Sequence, residues 1–210
     1  MKILNLVYPE KSDIRYQISQ FPDGQQNVKI QAYKYKDIWI ATQTNDYKSF
    51  DIQISSRLSN FRDLELIICT VASLRELEVE NIHLYVPYFM GARSDRKFEE
   101  GGNRYLKDVI CPIINSLNFK SVTVLDAHSY VLENLINKFK RIDNQKLVQF
   151  VLENIILPEG RSIFNDIPLV DWDRFLLVAP DAGACTRQDH LGFRNANRLV
   201  RRNIAMRIDD

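Results

Sequence analysis

Residues 82–97 read Ile82-His83-Leu84-Tyr85-Val86-Pro87-Tyr88-Phe89-Met90-Gly91-Ala92-Arg93-Ser94-Asp95-Arg96-Lys97. The first five form a short β-favouring run, and the rest turns polar and basic, as a loop leaving the end of a strand would. Upstream, from about Asn60, Phe61, Leu64, Ile67, Ile68, Val71, Leu74 and Leu77 recur at helical spacing and predict one broad apolar face, with Arg62, Glu65 and Arg75 elsewhere. Downstream, a helix is expected from near Asn103, carrying Leu106, Val109, Ile110, Ile113, Ile114 and Leu117 inward, with Pro112 as a kink. A strand at Ser121 to Leu125 follows, then helical segments from about Ser129 and over roughly Asn144 to Asn154, and a strand at Phe175 to Ala179. Strand and helix in alternation predict an α/β domain with a largely parallel sheet.

Ahead of this pattern lie short β-rich runs at Ile3 to Tyr8, Arg15 to Gln20, Asn27 to Ala32 and Asp37 to Thr42. Pro22-Asp23-Gly24 between the second and third reads as a hairpin turn, since proline and glycine supply its backbone geometry.

The chain has 210 residues, of which 45% are hydrophobic and 26% charged, a composition that excludes disorder as its main state. Its 28 Lys plus Arg against 27 Asp plus Glu leave a net charge of +1, so nothing global argues for a nucleic-acid or membrane partner. The longest apolar stretch, around Leu64 to Ala72, is far shorter than the roughly 20 residues of a membrane span. The opening Ile3 to Val7 suits a buried strand better than a signal peptide. Cys69, Cys111 and Cys185 are odd in number and widely separated, which fits free thiols in a reducing, cytoplasmic setting without a cysteine metal site.

Ligands of open parallel sheets bind beyond the carboxyl ends of the strands, so the loops after them are where chemistry is expected. Arg93, Arg96 and Lys97, with Asp95 among them, suit the grip of a polyphosphate, although a basic loop is more often simply solvated. Asp126 and His128 follow the strand Ser121 to Leu125 and could share a magnesium shell or orient a substrate; a histidine there is as often structural. Asp181, between Pro180 and the turn Ala182-Gly183-Ala184, is the natural third member. No complete P-loop, dinucleotide fingerprint, nucleophile elbow or H-E-x-x-H pair occurs in the sequence, which disfavours those enzyme classes.

Taken together, Phe21-Pro22-Asp23-Gly24-Gln25, Val86 to Lys97, Asp126-Ala127-His128 and Pro180-Asp181-Ala182-Gly183 resemble, in order and spacing, the ribose-phosphate pyrophosphokinases, or phosphoribosyl pyrophosphate synthetases. The variant Ala92-Arg93-Ser94-Asp95-Arg96-Lys97-Phe98-Glu99-Glu100-Gly101-Gly102 looks like the divergent bacteriophage-type branch. The resemblance implies a three-layer, phosphoribosyltransferase-like (Rossmann-like) α/β domain. It also implies transfer of the β,γ-diphosphoryl group of Mg-ATP to the 1-hydroxyl of ribose 5-phosphate, giving phosphoribosyl pyrophosphate and AMP.

By position, Phe21, Asp23 and Gln25 would reach adenine from a neighbouring subunit of a homo-oligomer, and Arg93, Ser94, Asp95, Arg96 and Lys97 would bind ATP. His128 and Asp181 would serve Mg2+ and phosphate, with His128 and Arg93 the catalytic pair. Gln25 stands where the family usually has Glu, and Ser94 where it commonly has Gln. The family's flexible catalytic loop and its ribose-phosphate loop lie in a second domain. Residues 1–184 are therefore expected to be the first domain, and 185–210, with Arg187, Arg194, Arg198, Arg201, Arg202 and Arg207, the divergent start of a missing second one. The alternative reading is a noncatalytic nucleotide-binding or accessory subunit of a full-length synthetase.

Overall fold

Leu4, Ile54, Leu84 and Val122 stand side by side across four strands, each at most 2% exposed, and this row is the centre of the core. The computed structural model describes residues 1–35, 38–41, 50–97, 99–128 and 130–144, almost wholly within the first of the chain's two units, Met1–Asp143. The helix expected over Asn144 to Asn154, the strand at Phe175 to Ala179, Asp181 and Cys185 lie outside the described residues, save Asn144 itself.

Strand β1 (Lys2–Asn5) stops earlier than the apolar run suggested. The Asn5 carboxamide oxygen accepts from the backbone N–H groups of Val7 and Tyr8 at 3.0 and 2.9 Å, which turns the chain out of extended geometry. A 3-10 turn at Pro9–Lys11 follows. Strands β2 (Tyr16–Gln20) and β3 (Gln26–Ile30) pair antiparallel as the expected hairpin. The run expected to continue to Ala32 breaks at Gln31, whose N–H donates back to the Arg15 carbonyl at 2.9 Å. A second hairpin joins β4 (Ala32–Tyr35) to β5 (Ile38–Ala41).

The interior strand β6 (Ile52–Ser55) has no counterpart in the sequence reading, although Ile52 and Ile54 are fully buried and Gln53 and Ser55 alternate with them. Helix α1 (Phe61–Glu76) starts where expected, because the Asn60 side chain accepts from the Asp63 N–H at 3.0 Å and Asp63 accepts from the Ser59 N–H at 2.7 Å. Leu64, Ile67, Val71 and Leu74 face the core, but Phe61 and Ile68 are exposed, against expectation. Phe61 occupies the first turn, where its ring meets Tyr105 edge-on at 6.5 Å.

Strands β7 (Ile82–Val86) and β8 (Ser121–Leu125) have the expected bounds. Between them, a π turn at Leu106–Ile110 leads into α2 (Cys111–Ser116). The irregularity expected at Pro112 takes that form: the Cys111 N–H bonds to the Leu106 carbonyl five residues back, widening the turn where the proline ring would otherwise crowd a carbonyl. The segment expected from Ser129 is a short helix, α3 (Val131–Leu135), and it leads to the unanticipated strand β9 (Phe139–Ile142). The sheet order is β1-β6-β7-β8-β9, every neighbouring pair parallel, so the expected α/β class with a parallel sheet holds.

The β2–β3 hairpin is tied to α1 through a polar stripe. Glu65, Cys69 and Ser73 recur at four-residue spacing, which places them on one helix face. Glu65 accepts from the Gln26 N–H at 3.0 Å, Cys69 donates to the Gln26 carbonyl at 3.3 Å, and Ser73 donates to the Val28 carbonyl at 2.7 Å. These side chains take the place of a further strand at the edge of β3.

Candidate functional site

Val86 and Val124 are register partners in the parallel pair β7·β8, so the loops that follow leave the sheet side by side at its carboxyl edge. After β7, Phe89 and Met90 are buried and anchor the loop. Gly91 adopts φ +76°, and a Cβ there would lie 2.9 Å from Tyr105 Cδ1, so both the backbone and the neighbouring ring require glycine. The Tyr105 hydroxyl also approaches Met90 Sδ at 3.9 Å.

The Ser94 N–H donates to the Gly91 carbonyl at 2.8 Å, and the Ser94 carbonyl accepts from the Leu106 N–H at 3.1 Å. The loop is thereby pinned at both ends of the Arg93 step. Arg93, Arg96 and Lys97 stand exposed, while Ser94 and Asp95 are half-buried. Three cations held at one strand end can receive an anionic group without first losing the loop's disorder, and guanidinium groups match phosphate oxygens in pairs.

After β8 the chain turns at Asp126, whose φ is +46° and whose N–H donates to the Ile142 carbonyl at the end of β9 at 2.7 Å. Ala127 is buried beneath this turn and His128 is exposed above it. The site's rim is thus built from the ends of β7, β8 and β9.

The hairpin turn reaches the same side of the unit by another route. The Phe21 N–H donates to the Gln25 carbonyl and the Gly24 N–H to the Phe21 carbonyl, both at 2.9 Å, with Gly24 at φ +95° and Asp23 accepting from the Gln25 N–H at 3.2 Å. Phe21, Asp23 and Gln25 are all exposed. Next to the turn, Gln20 accepts from Arg62 at 2.8 Å, and Gln26 donates to the Arg62 carbonyl at 2.7 Å. Arg62 follows Phe61, whose ring packs on Tyr105, which in turn borders Gly91. A continuous series of contacts therefore runs from the hairpin to the basic loop.

Sequence reasoning missed Tyr105 and Phe61 as supports of this site. The signal for Tyr105 was weak, an aromatic residue just before a helix, and the helical spacing assigned Phe61 to the core. Asp181 lies outside the described residues. Among the described residues, no group of three His, Cys, Asp or Glu side chains gathers around a common point. Magnesium commonly takes one or two protein ligands and completes its shell with water and phosphate oxygens, so an exposed imidazole beside a basic loop is compatible with such an ion. No described helix is long and apolar enough to cross a membrane.

No family model matches the chain. Over 185 residues it is 25% identical to a ribose-phosphate pyrophosphokinase of Helicobacter hepaticus, a match covering 87% of this chain and 51% of that protein. The chain spans about half the length of this curated relative. In three dimensions it is similar to the crystal structure of phosphoribosylpyrophosphate synthetase from Mycobacterium smegmatis, with a TM-score of 0.57 and 12% identity, over 72% of this chain and 47% of that one. The shared fold is the phosphoribosyltransferase-like α/β domain anticipated from the motifs.

Proposed function

We propose that this chain is a ribose-phosphate pyrophosphokinase of the bacteriophage-like branch and corresponds to the family's first domain. The observation that carries this reading is the register Val86↔Val124, which brings the loops bearing Arg93 to Lys97 and Asp126 to His128 out of the sheet together. The similarity over 185 residues to a pyrophosphokinase supports it. In this reading the substrates are ATP and ribose 5-phosphate, the setting is the cytoplasm, and the working form is a homo-oligomer.

Arg93, Arg96 and Lys97 bind the triphosphate electrostatically, Ser94 and Asp95 position the nucleotide, and Phe21, Asp23 and Gln25 contact adenine from a second copy. The 1-hydroxyl oxygen of ribose 5-phosphate bonds to the β-phosphorus of ATP and releases its proton to water. The bond from that phosphorus to the α,β-bridging oxygen breaks, and AMP leaves with the electron pair. Arg93 and the ring N–H of His128 stabilise charge that builds on the transferred group, because preorganised positive charge and hydrogen-bond donors are worth most where charge develops. Mg2+, held through His128 and Asp181, would neutralise the diphosphoryl oxygens.

The purified chain, supplied with ATP, ribose 5-phosphate and magnesium, is expected to form AMP and phosphoribosyl pyrophosphate together. Asp181→Ala and His128→Ala should abolish both products. Saturable ATP binding with neither product would instead assign the chain to the accessory-subunit reading, and no ATP binding would contradict both.

A further inference from the structure

Two consecutive residues of β9 hold the chain on either side of His128. Ahead of it, the Ile142 carbonyl accepts from the N–H of Asp126, the residue whose φ is +46°, at 2.7 Å. Beyond it, the Arg141 guanidinium lies over the Tyr130 ring, 5.1 Å from its centre. The same group reaches α3, where Nη1 donates to Glu133 Oε1 at 2.9 Å, and its Nε donates to Asp143 at the end of its own strand.

The register of the sheet puts Arg141 at the edge that carries the site. Val86, Val124 and Arg141 are partners in one row across β7, β8 and β9, so a charged residue continues the apolar row from which the two loops depart. Its side chain is 16% exposed, against 31% for Glu133 and 54% for Asp143. Two carboxylates already neutralise it, which leaves Arg93, Arg96 and Lys97 as the cations open to a phosphate at the rim. Ion pairs as exposed as these contribute little to stability. What they fix is direction. A guanidinium is planar, with donors in its plane for carboxylates and a face for an aromatic ring, and Arg141 uses both together.

We propose that Arg141 is a positioning residue, which holds through Tyr130 and Glu133 the turn that presents the His128 imidazole at the rim of the site. The left-handed backbone at Asp126 makes that turn strained at its start, and such a conformation persists only where surrounding contacts hold it. The effect of Arg141 on catalysis rests on the pyrophosphokinase reading, whereas its effect on the placement of His128 does not.

NMR of the full chain labelled at its three histidines tests this, with the ring Cε1–H signals of His128 and His83 identified by their loss in His128→Ala and His83→Gln. Arg141→Lys keeps the charge but loses the planar fork and the stacked face. It should move the His128 signal by more than its width and leave that of His83 in place. Tyr130→Ala should move the His128 signal likewise, and Tyr130→Phe, which keeps the ring, should not. With ATP, ribose 5-phosphate and magnesium, Arg141→Lys should lower kcat at least about tenfold and keep the KM for ATP within about twofold, because Arg93 to Lys97 are untouched. An unmoved His128 signal in Arg141→Lys, a His83 signal displaced as far, or an unchanged kcat in an active chain would overturn the proposal. If the unsubstituted chain forms no AMP, the pyrophosphokinase reading fails, and the two histidine signals decide the role of Arg141 by themselves.

Discussion

Tyr105 and Gly91 define each other's positions: the ring stands where a Cβ on Gly91 would be, 2.9 Å away, while Gly91 holds a φ of +76° that side chains disfavour. The basic loop departs from this contact, and the same ring meets Phe61 edge-on. Two penalties therefore meet at one residue.

Gly91→Ala is expected to cost about 1–3 kcal/mol, from the left-handed backbone and the displaced ring together. Urea unfolding should show a lower midpoint at constant m. Adding Tyr105→Leu should return only the steric share, as a double-mutant cycle would resolve. An unchanged midpoint in the single variant would refute the packing described.

The hairpin depends on the polar stripe of α1. Ser73→Ala removes the donor to the Val28 carbonyl and is expected to cost about 1 kcal/mol. Glu65→Ala should accelerate amide exchange at Gln26 far more than at Leu84, because the Gln26 N–H donates to that carboxylate. Equal exchange at Gln26 in both proteins would show that the hairpin is held otherwise.

His83 on β7 hydrogen-bonds the buried Ser121 hydroxyl through Nδ1 at 2.8 Å, and Asp51 lies 4.0 Å from Nε2. Burial lowers its pKa from the ordinary 6.5, with Lys140, Lys120 and the N-terminal amine acting in the same direction against Asp51. The unfolded chain thus binds the proton more readily, so stability rises with pH across this interval. The contribution is complete above about pH 6.5 and declines as pH falls towards the lower folded value. His83→Gln should flatten that part of a plot of urea midpoint against pH, and an unaltered slope would contradict the assignment.

Cys111 is buried, and that burial pushes its thiol up to about 12. Cys69, half-buried, is raised too, by burial and then by Glu65. Native alkylation at pH 8 should modify Cys69 before Cys111, with Cys111 labelled only on unfolding. A raised folded pKa stabilises below the unfolded value and is lost as pH climbs through the folded one, so Cys111→Ala should diminish the alkaline loss of stability between about pH 9 and 12. Rapid native labelling of Cys111 would contradict its burial.

Elements with long or strongly apolar patterns were legible in the sequence, the four-residue β1 and β5 among them, whereas the four-residue β6 and β9 were not. The bounds of β7 and β8 and the start of α1 follow from dense apolar runs and an asparagine cap. By contrast, β6 shows its alternation only through Ile52 and Ile54, and β9, at the edge of the sheet among the described residues, carries Lys140 and Arg141, so neither run rises above its surroundings. Phe61 was misplaced because helical periodicity does not reveal where the neighbouring element ends.

The candidate site was legible as residue types but not as an arrangement. Arg93, Arg96, Lys97 and His128 were recognisable from their loops, yet their adjacency depends on strand order, which sequence spacing does not contain. The series of contacts through Gln20, Arg62, Phe61 and Tyr105 is tertiary and leaves no local signal.

Diphosphoryl transfer is tested most directly by 31P NMR of the purified chain with magnesium, ATP and ribose 5-phosphate. AMP and a 1-diphosphate of ribose 5-phosphate should appear in equal amounts, and neither should appear with His128→Ala. Formation of ADP in place of AMP, or AMP and the diphosphate undiminished in that variant, would contradict the account.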